Sequence, residues 1–251
     1  MLFDNHFGEK LGLLEWLPKA AAAAGFTLVA SANTTGAAAG PYTTGAINTT
    51  GANLLVVVVS QYGNIAEGTL SDSKGNTWTG LTLKTGPGTV ALSRIHYCVP
   101  SSVGSGHTFT YSSASNMFGE IAVMAWSGAA ASPFDVENGG STGSGTSLQP
   151  GSVTPSLNGS LLVAGVSITD GSSSYSIGSG FTVIANVPFS ASVNEGLLAA
   201  YLVQGTAAAI NPTFSWTGSA EAAATIAVFK PAGASHAGEI FGFPFGITKA
   251  S

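Results

Sequence analysis

The feature that most constrains the fold is a short, β-branched apolar run over residues 53–60, which reads NLLVVVVS. A run of this length, bounded by turn residues at Gly51 and at 62–64, is typical of a strand that is buried on both faces. A similar run, SLLVAGVS, begins 107 residues later and covers residues 160–167. The repetition predicts two related halves, each built around one buried strand.

Three further motifs recur at a nearly constant distance, which strengthens the prediction of a duplicated chain. Each lies 105 residues before its counterpart: GNTW at 75–78 and GFTV at 180–183, FTY at 109–111 and FSW at 214–216, IAV at 121–123 and again at 226–228. We therefore expect pseudo-repeats over about 47–130 and 153–230, joined through a Gly/Ser/Thr-rich run at 139–146. Because each half has only about 90 residues and a thin core of its own, a single shared core is favoured.

Between residues 25 and 231 the sequence shows only strand and turn signals. Short runs of β-branched and aromatic residues alternate with separators rich in Gly, Pro, Ser and Asn, a pattern typical of sandwiches and jelly rolls. We therefore predict an all-β, antiparallel, two-sheet sandwich of jelly-roll type over residues 31–231. The predicted strands are Phe26–Ser31, Asn53–Gln61, Thr77–Leu83, Thr89–Cys98, His107–Tyr111, Phe118–Trp126, Ser160–Thr169, Phe181–Asn186, Gly196–Val203, Thr213–Trp216 and Ala223–Phe229.

The N-terminal arm, residues 1–30, carries the best helical pattern of the chain. Leu11, Leu14 and Leu17 are spaced three residues apart, and Trp16 lies next to their stripe. A helix of two turns is not stable in isolation, so we expect these four side chains to pack on another part of the protein or of an assembly.

The C-terminal arm, residues 232–251, has a different pattern. Phe241, Phe243, Phe245 and Ile247 alternate with Gly and Pro, which is the period of two that an extended segment requires. Four large apolar side chains on one face would form a patch that soluble monomers rarely expose. We predict that this segment lies along a groove or sheet edge, either of a neighbouring subunit or of its own sandwich.

Composition and charge narrow the range of partners. Only 8% of the residues are charged, and the net charge is −5 with 7 scattered basic residues. This gives no electrostatic footprint for nucleic acid or an anionic membrane. Residues 20–32 form an apolar-leaning run of 13 residues that is too short to span a bilayer and lacks a positive flank, so neither a signal peptide nor a transmembrane helix is expected. Cys98 has no partner for a disulfide and is interpreted as a small buried hydrophobe.

The titratable residues do not form a recognisable catalytic or metal-binding motif. Asp135 and Glu137 are the closest carboxylates, and a solvated loop is favoured over a glycosidase pair. Asp72 and Asn76 flank a turn, where capping is favoured over calcium binding. No zinc-type spacing, nucleophile elbow or phosphate loop occurs, so we predict no catalytic, cofactor-binding or metal-binding residues and no cofactor. The other residues considered are Glu120, Asp170, Glu195, Glu221, His6, His96, His107 and His236.

Three tryptophans invite a carbohydrate-binding interpretation, because aromatic faces can stack on sugars. Trp78, Trp126 and Trp216 each lie in a predicted strand among apolar neighbours, which favours core packing instead.

The sequence also resembles a known group of proteins. Residues 47–56 (INTTGANLLV), 71–78 (SDSKGNTW) and 121–129 (IAVMAWSGA) resemble a duplicated, jelly-roll-like β-sandwich family seen in bacterial surface proteins and phage structural proteins. The resemblance covers about residues 42–230. It implies an extracellular or virion structural role without enzyme activity, and it provides no catalytic residues.

Together these features predict a non-enzymatic structural protein of an extracellular assembly, best described as a bacteriophage virion component such as a capsid decoration or tail protein. Its expected partners are copies of itself and other virion proteins, and glycans are a further option. The alternative is a carbohydrate-binding or adhesion module of a bacterial surface protein. A glycan-cleaving enzyme that uses Glu137 is a third, less favoured hypothesis.

Overall fold

The computed structural model describes residues 25–34, 40–63, 67–112, 118–169, 173–190 and 194–233. Their regular structure consists of antiparallel strands, which confirms the prediction of an all-β fold. The strands are β1 (Thr27–Asn33), β2 (Tyr42–Thr43), β3 (Leu54–Tyr62), β4 (Thr69–Asp72), β5 (Thr79–Gly80), β6 (Lys84–Thr85), β7 (Ala91–Cys98), β8 (Phe109–Ser112), β9 (Phe118–Ser127), β10 (Ala129–Leu148), β11 (Ser160–Thr169), β12 (Ser173–Ile177), β13 (Thr182–Ser190), β14 (Glu195–Gln204) and β15 (Phe214–Pro231).

The strands form three sheets. Sheet I has the order β1-β9-β3-β7-β5, with β6 also paired to β7. Sheet II has the order β10-β15-β11-β14-β13, with β12 also paired to β15, and sheet III has the order β2-β8-β4. The sandwich is therefore present, but the expectation of only two sheets was incomplete. A central strand that is apolar on both faces needs a covering layer on each side, and sheet III covers the outer face of sheet I.

Strand β3 shows how the layers are built. Side chains alternate along a strand, so Leu54, Val56 and Val58 pack against sheet II while the odd-numbered residues 55–59 pack against sheet III. All six are fully buried, which confirms the interpretation of the run at 53–60. The similar run at 160–167 lies in β11, which is also buried on both faces. One face packs against sheet I, and the other packs against a layer that contains Phe214.

The two large sheets have the same strand order, and each is built from one half of the chain. By their places in the two strand orders, β9 corresponds to β15, β3 to β11 and β7 to β14. Strand β3 packs on β11, β9 packs on β14, and β7 packs on β15. The contacts between the sheets are therefore the same whichever sheet they are described from. Val58 and Gly165 occupy corresponding positions of β3 and β11 and face each other across the core. A Cβ atom on Gly165 would lie 2.2 Å from Val58 Cγ1, so the close approach of the sheets requires glycine here.

Several predicted boundaries were wrong. The predicted strand Thr77–Leu83 contains only the two-residue strand β5, and two other segments were also misassigned. The Gly/Ser/Thr-rich run at 139–146 is not a loop but the middle of β10, where it pairs with residues 220–225 of β15. The partner strand is rich in alanine, and a backbone ladder between small residues needs no β-branched side chains. The predicted strands at 213–216 and 223–229 likewise form one strand, β15, which begins at Phe214.

The register of the sheets shows how the recurring sequence motifs are placed. Trp126 pairs with Leu54, and Phe229 pairs with Leu161, so these two aromatic residues correspond at a distance of 103 residues. The repeated IAV motifs are 105 residues apart and are therefore shifted by two residues in the sheets. A shift of two keeps every side chain on the same face, which explains why the sequence pattern tolerates it.

The predicted helix at 9–17 and the predicted extended segment at 241–247 lie outside the described residues. The described residues contain no helix that is long and apolar enough to cross a membrane.

Candidate functional site

The described chain begins and ends at one end of the sandwich. Thr27 pairs with Ser127 at the start of β1, and Pro231 pairs with Ala129 at the end of β15. The backbone N–H of Ala232 then donates to the Gly128 carbonyl at 2.7 Å. The predicted N- and C-terminal arms are therefore attached on either side of the short connection at 127–129, and this end is named here the arm end.

Asn53 fixes the connection at the arm end. Its side-chain amide donates to the Ala129 carbonyl at 2.8 Å, and its Oδ1 accepts from the Ala129 N–H at 3.1 Å. Its own backbone N–H donates to the Trp126 carbonyl at 2.8 Å. The sequence placed Asn53 at the start of the buried run but assigned it no role, since a partner 76 residues away leaves no local signal.

A cleft of about 320 Å³ opens at this end, between the edge of sheet I and the start of β10. Val99 is half exposed here, and threonine and serine hydroxyls are interspersed with apolar groups. Among the described residues, no acidic or basic side chain lines this cleft. The lining residues are Thr77, Thr79, Tyr97, Cys98, Val99, Ala131, Ser132, Pro133 and Phe134.

Aromatic side chains form the inner wall of the cleft. The rings of Tyr97 and Phe134 are stacked, with centroids 5.9 Å apart, and Tyr97 also contacts Phe229 edge-on at 5.5 Å. The corresponding residue of sheet II, Tyr201, contacts Trp126 in the same manner at 4.7 Å. Offset and edge-on contacts of this kind add to the stability gained from burial.

Asp72 is the centre of a polar cluster between sheets I and III. Its Oδ1 accepts from the Lys74 N–H at 2.8 Å and its Oδ2 accepts from Trp78 Nε1 at 2.8 Å. His107 Nε2 lies 3.0 Å from Oδ1 in an electrostatic contact that is not well directed for a hydrogen bond. The prediction that Asp72 caps its turn is confirmed. Asn76, the second residue considered there, donates to Asp72 and to the Ser102 carbonyl.

The environment of Asp72 shifts its ionisation. Burial by itself would raise the pKa of this carboxyl, but the contact with His107 and the hydrogen bonds from Lys74 and Trp78 together lower it below its usual value. Asp72 is thus held in its charged form, and its geometry is that of a structural support.

A second polar cluster joins the residues before β4 to β7. Glu67 contacts both Arg94 and His96, the latter at 3.0 Å. Burial would raise the pKa of Glu67, but His96 and Arg94 outweigh that effect and lower it. The sequence did not identify this cluster, because Glu67 lies in a connecting segment 27 to 29 residues away from its partners on β7.

The pair Asp135 and Glu137 lies on β10, not in a loop. Asp135 accepts from the Ser156 N–H at 2.7 Å and from its hydroxyl at 2.8 Å. Glu137 accepts from the Thr82 N–H at 3.0 Å and from its hydroxyl at 2.7 Å. The two carboxylates therefore bind separate segments, and the contacts they make support neighbouring backbone.

The tryptophans that could have bound sugars are not exposed. Trp126 and Trp216 are buried, which confirms core packing for both. Trp78 is half-buried and packs edge-on against Phe109. Cys98 is buried as predicted, and burial together with the charge of Asp72 raises the pKa of its thiol to about 12.

The residues predicted to make assembly contacts lie outside the described residues, as do His6, His236 and Asp170. Within the described ranges, no cluster of three His, Cys, Asp or Glu side chains is placed to hold a metal ion. The predicted assembly contacts are Leu11, Leu14, Trp16, Leu17, Phe241, Phe243, Phe245 and Ile247.

Comparison with known proteins gives no match: no protein-family model fits the chain, and neither a curated protein nor a solved structure is significantly similar to it. The structure is compatible with the β-sandwich part of the resemblance described above. The specific family stays a prediction.

Proposed function

We propose that this protein is a non-enzymatic structural component of an extracellular assembly, best described as a bacteriophage capsid decoration or tail protein. The observation that carries the proposal is the arm end, where both ends of the described chain leave the sandwich beside one connection at 127–129. A closed sandwich that presents two apolar arms from one end is suited to joining copies of itself. Its location would be the virion or another extracellular surface.

The C-terminal arm is the proposed connecting element. Its face of Phe241, Phe243, Phe245 and Ile247 needs an apolar partner surface, and each such side chain contributes roughly 1.5–3 kcal/mol when fully buried. The uncharged cleft at the arm end of a neighbouring copy offers such a surface, with Phe134 in its wall. Adding a strand to an exposed sheet edge supplies backbone hydrogen bonds in addition.

Light scattering of the purified full chain tests this proposal. We expect an oligomer that dissociates when Phe241, Phe243 and Phe245 are replaced by serine. The matched control replaces Gly242 and Gly246, on the other face of the arm, by serine and should leave the oligomer intact. If deletion of residues 239–251 leaves assembly unchanged and only lowers the stability of the monomer, the arm does not connect copies.

The genes on either side of the coding sequence test the virion role separately. Portal, capsid or tail genes are expected. Genes for cell-wall attachment or polysaccharide metabolism would contradict a virion role and favour a bacterial surface protein.

We further propose that the two halves are pseudo-repeats. The identical strand orders of sheets I and II support this, as do the corresponding pairs Val58 and Gly165, and Tyr97 and Tyr201. The jelly-roll part of the fold prediction stays a prediction.

The cleft also favours a second candidate function, a carbohydrate-binding module. Aromatic side chains interspersed with hydroxyls and without charge suit a neutral saccharide, and Thr79, Ser132 and Tyr97 are the residues concerned. A glycan array with the wild-type protein and with Thr79→Ala combined with Ser132→Ala tests it. Binding that this double substitution weakens would support the module, and no binding by the wild type would exclude it.

A further inference from the structure

Glu195 is a buried carboxyl group at the opposite end of the sandwich from the arms. It is the first residue of β14 in sheet II, and none of its surface is accessible to solvent. A buried carboxyl group is costly unless it is fully hydrogen-bonded or neutral, so its surroundings determine which form the fold accepts.

Two serines from different sheets converge on one oxygen of this group. Ser60 of sheet I donates through its hydroxyl to Glu195 Oε1 at 2.7 Å, and Ser167 of sheet II donates to the same oxygen. These serines occupy corresponding positions of β3 and β11. Ser60 also lies 3.2 Å from the Gly196 carbonyl. Glu195 thus connects the two large sheets at this end of their interface.

The second oxygen, Oε2, is fully buried and has no hydrogen-bond partner among the described residues. This position suits a protonated oxygen better than a charged one, because an ionised oxygen without a donor loses all of its hydration. Four described groups reach the carboxyl by hydrogen bond or by charge, and none of them donates to Oε2; they are Ser60, Ser167, Glu120 and Glu221.

The charged groups facing Glu195 come from β9 and β15, and both are acidic. Glu120 of β9 lies beside Ser60 in the sheet, and Glu221 of β15 accepts the N–H groups of Gly88, Val90 and Ala91. No ion pair with a basic residue involves Glu195 within the described part of the chain. Burial raises the pKa of Glu195 well above its ordinary value, Glu120 and Glu221 raise it further, and the two serines only partly oppose this.

We propose that Glu195, Ser60 and Ser167 form a pH-operated clasp between sheets I and II. The clasp is closed when the carboxyl is protonated, and it weakens when ionisation places an uncompensated negative charge between the sheets, close to Glu120 and Glu221. The serine end of the sandwich would therefore open more readily as the pH rises, while the arm end keeps its aromatic contacts.

The sign of the effect follows from proton linkage. The folded protein holds a proton that the unfolded chain releases at about pH 4.5. The stabilisation is therefore fully present below that pH and is lost as the pH rises through the higher pKa of the folded state. One proton changes the folding equilibrium constant by up to tenfold per pH unit in this window.

Urea unfolding of the full chain over a series of pH values tests the clasp with Glu195→Gln. The ratio of folding constants, variant over wild type, should rise with pH above 4.5 by up to tenfold per unit and then level off. Glu137→Gln, a carboxylate at the surface of β10, is the control and should give a ratio without this rise. A pH-independent ratio for Glu195→Gln would overturn the proposal.

Two further measurements keep the test decisive if Glu195→Gln does not fold. Carbon NMR of the wild type should show one glutamate carboxyl that titrates far above pH 4.5. Ser60→Ala removes a donor to the ionised form, so the same resonance should titrate at a higher pH still. A spectrum in which all the glutamates titrate at ordinary values would refute the clasp.

Discussion

The two layers that cover the outer faces of sheets I and II have similar backbone pairing but different side-chain interactions. In the layer over sheet I, Asp72 pairs with Phe109, and His107 forms a bridge with Ile47. In the layer over sheet II, Ile177 pairs with Phe214, and Ile210 forms the equivalent bridge with Val153. A carboxylate and a histidine in one half thus stand where two isoleucines stand in the other.

The comparison teaches that the backbone pairing does not depend on the chemistry of these side chains. The apolar residues stabilise the layer over sheet II through the hydrophobic effect. Its free energy is roughly proportional to the buried apolar area and does not depend on the orientation of particular groups. The charged network over sheet I fixes particular donors and acceptors, and it makes stability depend on pH. Four substitutions test this comparison between the halves.

The largest effect is expected where the halves touch, at Gly165. Gly165→Val should lower the free energy of unfolding by about 3 kcal/mol, because the new side chain overlaps Val58 and the sheets cannot separate without losing core contacts. Combining it with Val58→Gly exchanges the corresponding residues and should recover most of the loss. Urea unfolding measures both. Additive losses in the double variant would contradict the equivalence of the two positions.

The next effect concerns the polar network. Asp72→Ile gives the first half the residue that the second half has. It should cost about 2 kcal/mol, because the Trp78 N–H loses its acceptor and His107 loses its electrostatic contact. Asp135→Ile, at a carboxylate that binds only the Ser156 segment, is the matched control and should cost less. Thermal unfolding of both variants at neutral pH measures the difference, and equal losses would show that the network around Asp72 has no special role.

A smaller effect is expected in the acid response of Asp72. Its pKa is lowered in the folded protein, so its contribution is present above the ordinary value of 3.8 and is lost as the pH falls through the lower, folded value. Asp72→Asn should therefore reduce the loss of stability on acidification. Glu195 acts in the opposite direction, at higher pH. Unfolding curves of the variant and the wild type, measured below pH 5, give the contribution of Asp72 to stability. If both proteins lose stability equally on acidification, the prediction is wrong.

The smallest effect is expected at Cys98, which corresponds to Leu202 because both pair with the second leucine of their buried strands. If Cys98 acts only as a hydrophobe, Cys98→Val should change stability by less than about 1.5 kcal/mol. With a pKa of about 12, the thiol should not react with iodoacetamide in the folded protein at pH 8. Rapid labelling of the native protein would contradict this interpretation.

The sequence by itself determined the parts of the fold that depend on local patterns. An unbroken β-branched run such as 54–59 has no polar face, so it must be covered on both sides. Asp72 has backbone N–H groups within reach two and four residues later, so its role as a turn cap was predictable. The strand at 160–169 was located to the residue because its polar and small boundaries are adjacent in the chain.

Only the tertiary structure decided the roles that depend on distant partners. Glu195 and Glu137 both lie outside any recognisable sequence motif, yet one is enclosed between two sheets while the other binds Thr82 near the surface. The same holds for β10, whose glycines and serines form a strand because β15 supplies the matching ladder. Burial and sheet pairing are properties of two segments together, so neither can be read from the pattern of one segment alone.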